Sequence, residues 1–353
     1  MYATRLPNRP PTPVNPDGHP HSAVAEAHPN IALVKYWGKR DAALNLPVVG
    51  SLSITLDRLR TRTRVRFVPE SGADQVVLNG RASEAEARRV GACLDLLREA
   101  AGIDWRAEVA SGNDFPTAAG LASSASGFAA LVLAGSAALG LDLPPSRLSV
   151  LARRGSGSAA RSIFGGFVEW AHGERADGSD SLARPLLGAA EWPLGVAVAV
   201  TSTAAKEIGS SEGMGRTAMT SPYQRAWVEG QEANLAEARR AVLARDFEAL
   251  ADISEHSCLK MHALALAARP GLLYWNGASV ECMHRLRALR RSGVPVFFTI
   301  DAGPQVKAVC LPEARAAVAA ALREVRGVLE VLECGLGEGA RLIEDGAAAD
   351  AER

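Results

Sequence analysis

The sequence predicts an α+β fold in two lobes, and three observations carry that reading. The chain has 353 residues, enough for about two domains with sizeable cores. Short β-branched runs alternate along it with longer stretches of helical period. Between two such blocks, residues 171–191 are polar and punctuated by Gly and Pro, the composition of a linker. The lobes are therefore expected at 23–192 and 193–345, between an N-terminal extension (1–22) and a frayed tail (346–353).

Composition narrows the function. Apolar residues make up 48% and charged residues 22%, as in a globular protein. The formal net charge is zero, where a nucleic-acid binder would carry a basic excess, so polyanions must be met by local clusters. Five widely spaced cysteines (Cys93, Cys258, Cys282, Cys310 and Cys334) show no CxxC or Cys/His metal spacing. Reduced thiols and a cytoplasmic setting are expected.

Residues 1–22 are rich in Pro, Asn, His and Gly, lack an apolar signal-peptide core, and read as a disordered extension. The segment 23–41 starts as a strand and turns polar and basic at Lys35, Lys39 and Arg40. That cluster suits either a solvated surface or, with Tyr36 and Trp37 among it, a shaped site for a phosphorylated ligand. Residues 44–57 read as a turn and a strand. In 57–67, Arg58, Arg60, Arg62, Arg64 and Arg66 recur at period two opposite Leu59, Val65 and Phe67, predicting a strand with one solvated face. Asn79-Gly80 marks a hairpin turn, 83–102 a helix with a Gly stop, and 106–115 a strand.

The stretch PTAAGLASSAS (116–126) then runs into the apolar segment 127–140. The longest apolar stretch, 120–141, is dominated by Gly, Ser and Ala and predicts a buried helix, not a membrane span. A Gly-punctuated loop ahead of the N-cap candidates Ser123 and Ser124 offers free backbone N–H groups at a positive dipole end, which binds phosphate. The same pattern also opens ordinary packed helices. No Gly-Lys-Ser/Thr follows, so it is not a Walker loop. A second Gly/Ser loop, GSGSAAR (155–161), gathers Ser156, Ser158 and Arg161. It reads as a flexible cap or as hydroxyls and a guanidinium for phosphate and carboxylate. Beyond it come a strand at 163–170, a buried strand at 194–201 and a Gly/Ser segment at 206–217. Helices follow at 222–268 and 275–292, then a strand at 294–301 ending on Asp301, a helix at 313–327 and a strand at 328–334.

PTAAGLASSAS resembles the phosphate loop of the GHMP kinase superfamily, and 113–131 is most similar to the diphosphomevalonate decarboxylases. NIALVKYWGKRD (30–41), GSGSAARSIFGGFVEW (155–170), SSEGMG (210–215) and FFTIDAGPQVK (297–307) agree in the same order. The resemblance implies the two-lobed GHMP kinase fold: a ribosomal protein S5 domain 2-like N-terminal lobe, a ferredoxin-like C-terminal lobe and a central cleft. It implies ATP and Mg²⁺ as cofactors, mevalonate diphosphate as substrate, a homodimer, and neither a nucleic-acid nor a membrane partner. Asp301, Lys35 and Arg161 would be catalytic. Tyr36, Lys39, Ser156, Ser158, Arg161 and Ser210 would bind substrate, and a position similar to Arg81 reaches it in the family. Ala119, Gly120, Leu121, Ala122, Ser123 and Ser124 would hold ATP, with Ser124 near Mg²⁺.

The implied reaction is ATP-dependent decarboxylation of mevalonate diphosphate to isopentenyl diphosphate through 3-phosphorylation. The alternatives are a GHMP kinase that stops at the phosphorylated alcohol, a decarboxylase of the monophosphate, and a non-catalytic member of the fold used for binding or regulation, which would be expected to lose some of the charged set that this chain keeps. Departures from the family pattern are Asp114, where asparagine is common, Ala160 in place of a frequent cysteine, and Gly50 before Ser51.

Overall fold

The computed structural model describes residues 22–69, 72–82, 84–115 and 123–344. The predicted extension, apart from Ser22, the frayed tail, and Ala119, Gly120, Leu121 and Ala122 of the phosphate loop lie outside them.

The N-terminal half runs β1 (Ser22–Ala27), β2 (Asn30–Val34), β3 (Lys39–Asp41), β4 (Leu46–Pro47), β5 (Ser51–Thr55), β6 (Thr61–Val68), β7 (Gln75–Leu78) and β8 (Arg81–Ala82). It continues with α1 (Glu84–Ala101), β9 (Arg106–Asn113), α2 (Ser123–Ala138), α3 (Pro145–Gly155), the single turn α4 (Ala159–Ser162), β10 (Phe167–Trp170) and β11 (Ala183–Leu187). The second half has β12 (Gly195–Val200), α5 (Ser210–Thr220), α6 (Gln224–Glu229), α7 (Gln231–Ala244), α8 (Phe247–Leu266) and α9 (Gly277–Arg291). β13 (Val296–Ile300), β14 (Val306–Cys310), α10 (Arg315–Arg323), β15 (Glu330–Cys334) and β16 (Arg341–Ile343) complete it.

Three sheets organise these elements, with strand orders β16-β1-β6-β9-β7-β8, β11-β10-β5-β2 and β13-β14-β12-β15. From Thr61 on, the period-two pattern is realised in β6, where Thr61, Thr63, Val65 and Phe67 are buried and Arg64 and Arg66 face out. The expected strand start at 57 is not, since Arg58, Leu59 and Arg60 precede β6 and Leu59 turns the chain at a positive φ of 69°. The β7–β8 hairpin turns through Asn79 and Gly80, both at positive φ (48° and 73°), the backbone that Asn-Gly accepts most readily. α2 lies across the first sheet, its Phe128 and Leu131 meeting Val65, Phe67 and Leu97. Helix-forming Ala and Leu with no charged residue suit an element buried nearly all round.

β12 is buried along its whole length, and its alternation divides between two cores. Val196 and Val198 join Ile31, Leu52, Ile54, Leu235 and Leu250 in a core that spans both halves of the chain. Ala197 and Ala199 face Met283, Leu286 and Val318 on α9 and α10. A sheet covered on both faces explains the unbroken apolar run.

The structure corrects three further expectations. The predicted linker 171–191 contains β11, which pairs antiparallel with β10. Pro185 disguises it, and an edge strand with a bulge at Phe167/Val168 tolerates proline. The Gly/Ser segment at 206–217 is mostly the helix α5, packed against α8. Finally, β16 leaves the C-terminal half and pairs with β1, so residues 341–343, assigned to the second lobe, lie in the first lobe's sheet.

Candidate active site

Two chain segments 266 residues apart meet at the centre. β2 ends at Val34, with a bulge at Ala32/Val34, and Lys35 follows it. The Lys35 backbone N–H donates to Ser257 Oγ of α8 at 2.9 Å, and its carbonyl accepts from Gln231 Nε2 of α7 at 2.8 Å. The strand end is thus tied to helices of the other half. Asp301 sits just past β13, in the turn to β14. Lys35 Nζ lies 2.6 Å from Asp301 Oδ1 and also donates to the Ala32 carbonyl at 2.8 Å. Lys307 Nζ, from β14, lies 3.3 Å from Asp301 Oδ2. Burial raises the Asp301 carboxyl, but the two ammonium groups outweigh it and hold it well below the usual carboxylate range. The side chain keeps 26% exposure, while Lys35 and Lys307 keep 1% and 3%.

Asp301 opens onto a cleft of about 620 Å³ that Lys35, Tyr36, Lys39, Ser124, Ser156, Ser158, Arg161 and Ser210 also line. This is within the usual size for small-molecule sites. Arg161 is fully buried on α4. Its Nε donates to Asn30 Oδ1 at 3.0 Å, its Nη1 to Ser51 Oγ at 2.7 Å, and it lies 5.7 Å from the Trp170 ring centroid. Among the described residues no carboxylate touches it, and burial pushes it down to about 10 despite Asp301 and Tyr36 nearby. Tyr36 packs edge-on against Trp170 at 4.8 Å, with Gly157 against its hydroxyl end. Burial pushes its phenol upward, so it stays a neutral donor. Its Oη has no hydrogen-bond partner among the described residues.

On the facing wall, Trp37 Nε1 donates to Thr217 Oγ1 on α5 at 2.9 Å, and Trp227 Nε1 donates to the Trp37 carbonyl at 2.9 Å. These bonds seat α5 against the basic segment. Lys39 Nζ then reaches Ser211 Oγ at 3.1 Å, and Lys206 Nζ reaches Ser210 Oγ at 3.4 Å. Burial lowers both lysines, with Arg89 adding to it at Lys39 and Lys307 at Lys206. Crowded, desolvated cations of this kind favour a polyanionic ligand. Ser124 Oγ, in the first turn of α2, is 3.3 Å from Ser156 Oγ and joins the two Gly/Ser loops. A second cavity of about 150 Å³, lined by Asn79, Val90, Ser111, Asn113, Ser123 and Phe128, shares Glu86, Arg89 and Ser124 with the cleft.

Sequence reasoning missed Arg89, Lys206, Asn30 and Lys307. Arg81, expected near the substrate, is exposed on β8 and does not line the cleft; Arg89 does, from the second turn of α1, where it donates to the Gly155 carbonyl at 3.1 Å. Nothing in the periodicity of α1 distinguishes Arg89 from the adjacent Arg88. Asp114 turns away from the cleft: Arg60 donates to it through its backbone N–H at 2.6 Å and its Nε at 2.9 Å. Ala160 is fully buried.

The chain is similar to known proteins over most of its length. The family described as "Diphosphomevalonate decarboxylase-like N-terminal domain" matches residues 27–183, and "Mevalonate 5-diphosphate decarboxylase C-terminal domain" matches 196–334. The diphosphomevalonate decarboxylase of Homo sapiens is 39% identical over 325 residues, covering 86% of this chain and 80% of the human protein. A solved structure described as "MDDEF in complex with MVAPP, AMPPCP and Magnesium" is 40% identical with a TM-score of 0.85, covering 92% of this chain and 99% of that one. The mevalonate diphosphate decarboxylase of Enterococcus faecalis, solved in a study of mevalonate diphosphate mediated ATP binding, is 39% identical with a TM-score of 0.83 over the same shares.

Proposed function

Because the chain belongs to the diphosphomevalonate decarboxylase family, we propose that it converts mevalonate diphosphate and ATP to isopentenyl diphosphate, ADP, phosphate and CO₂. The observation that carries this is the Asp301 carboxylate held between two buried lysines at the floor of a cationic cleft. The 3-hydroxyl hydrogen-bonds to Asp301, which orients it and, as a weak base, accepts the proton late, once bonding to the γ-phosphoryl group of ATP has made that proton strongly acidic. The C3–O bond then breaks with both electrons on the departing phosphate. The C–C bond to the carboxylate supplies the electron pair of the new C=C bond, and CO₂ leaves. Arg161, a buried cation that no carboxylate touches among the described residues, orients the substrate carboxylate. Tyr36, Lys39, Arg89, Ser156, Ser158 and Ser210 hold the diphosphate and mevalonate oxygens.

The smaller cavity adjoins the cleft at Ser124, and ATP would enter from that side with its phosphates passing Ser123 and Ser124 toward the cleft. Among the described residues no group of three His, Cys, Asp or Glu could hold a metal ion, and both Asp301 oxygens face ammonium groups. Mg²⁺ therefore fits as an ion carried by the phosphates, with the hard hydroxyl oxygen of Ser124 beside it. When bound it neutralises phosphate charge. Among the described residues no helix is long and apolar enough to cross a membrane. A cytoplasmic homodimer completes the reading; the five free, buried cysteines suit a reducing compartment, and the dimer rests on family resemblance. Sedimentation at micromolar concentration checks the dimer.

The deciding assay follows ADP and CO₂ together with mevalonate, its monophosphate and its diphosphate. Equal release with the diphosphate is expected. ADP without CO₂ would make the protein a kinase, and preference for the monophosphate would displace the diphosphate reading.

A further inference from the structure

Lys307 is not among the residues that line the cleft; it meets Asp301, which is. It lies in β14, every residue of which is buried, as the register partner of Thr299. An ammonium there is costly, and an apolar residue would pack in its place. Lys35 already supplies one counter-charge to Asp301. Lys307 brings a second ammonium group to the same carboxylate, and the geometry shows what it adds. Lys35 holds Oδ1, Lys307 holds Oδ2, and the two arrive from different segments of the chain. The χ2 torsion of aspartate is broad and two-fold, so a contact to one oxygen leaves the carboxylate plane free to turn. A contact to each oxygen fixes it.

We propose that Lys307 is a positioning residue for phosphoryl transfer, clamping the Asp301 carboxylate plane so that its free lone pairs face the substrate hydroxyl. The inference rests on the reading of Asp301 as the group that receives that hydroxyl. Fixing the acceptor's direction matters most in the transition state, where small displacements cost rate more than binding.

The test is a double-mutant cycle of Lys307→Met and Asp301→Asn, with kcat, KM for mevalonate diphosphate and thermal midpoints measured for all four proteins. Lys307→Met keeps the stem and removes the charge. It is expected to lower kcat about 10- to 100-fold with KM close to that of the parent. In the Asp301→Asn background it is expected to cause no further loss, because the group it acts through is gone. The stability cost should also shrink there: Asp301→Asn takes away the carboxylate that lies between the two ammonium groups, so removing Lys307 should lower the thermal midpoint less than it does in the parent. Should Lys307→Met fail to fold, the same cycle with Lys307→Gln decides by the same outcomes. Parental kcat in the lysine variant, a loss confined to KM, or losses that multiply in the double variant would each overturn the proposal. Normal turnover of Asp301→Asn would overturn both it and the reading it rests on. A collapsed Asp301→Asn with multiplying losses would overturn the role of Lys307 alone.

Discussion

Replacing Tyr36 with phenylalanine should move affinity and stability in opposite directions. The ring is wedged edge-on against Trp170 at 4.8 Å, and its Oη has no hydrogen-bond partner among the described residues. A buried polar atom left without a partner costs about 1–3 kcal/mol, so removing it should leave the free enzyme as stable as the parent or more so. In the complex the same hydroxyl would donate to a charged phosphate oxygen. A hydrogen bond to a charged group contributes about 1.5–3 kcal/mol, which corresponds to about 10- to 100-fold in Kd. Calorimetric titration with mevalonate diphosphate, alongside a thermal melt of the free protein, measures both. Gly157→Ala approaches the same atom from the other side. A Cβ there would stand 2.8 Å from Tyr36 Oη, 2.9 Å from Cε1 and 3.0 Å from Cζ, so the ring would have to shift from its contact with Trp170. That variant should lose affinity to a similar degree and also about 1–3 kcal/mol of stability through overpacking. Parental affinity in Tyr36→Phe, or destabilisation matching that of Gly157→Ala, would refute the reasoning.

Arg161→Met should lower kcat/KM by about 10²-fold, and Arg161→Lys should not restore it, since a point charge cannot keep both the Asn30 and Ser51 bonds while orienting a carboxylate. Steady-state kinetics of the two variants decides this. His262 is buried with a ring nitrogen 3.2 Å from the Ile300 carbonyl, and burial holds it down to about 3 from an ordinary 6.5. Between those values the unfolded chain binds the extra proton, so stability is full above pH 6.5 and falls as the pH drops. Urea melts from pH 6.5 down to about 5, above the usual carboxylate range, should show that loss, and His262→Gln should flatten it. At Gly50 an added Cβ would stand 2.5 Å from Leu235 Cδ2 and 3.2 Å from the Trp170 carbonyl oxygen, so Gly50→Ala should cost about 1–3 kcal/mol in a denaturant melt.

What the sequence by itself determined was local. The arginine alternation defined β6 because side chains in a strand face opposite ways at every step. Asn79-Gly80 defined its hairpin because few residues accept two successive positive φ angles. The ordered blocks carrying Lys35, Tyr36, Ser156, Arg161 and Asp301 were legible because each packs its chemistry into a short stretch. The tertiary structure decided what depends on distant partners. β11 hid behind Pro185, since only an edge position in a folded sheet makes that residue acceptable as a strand. α5 hid behind its glycines, because packing against Trp37 and α8 outweighs their weak helix propensity. The return of β16 to β1 left no local mark, as three residues at a sheet edge have too little pattern to read. Lys307 could be read in the sequence as one lysine after a turn. Only the pairing of β13 with β14, and the arrival of Lys35 from the other half of the chain, places two ammonium groups on one carboxylate. Charge acts through space and falls off over a few ångströms, and along the chain those partners are 266 residues apart.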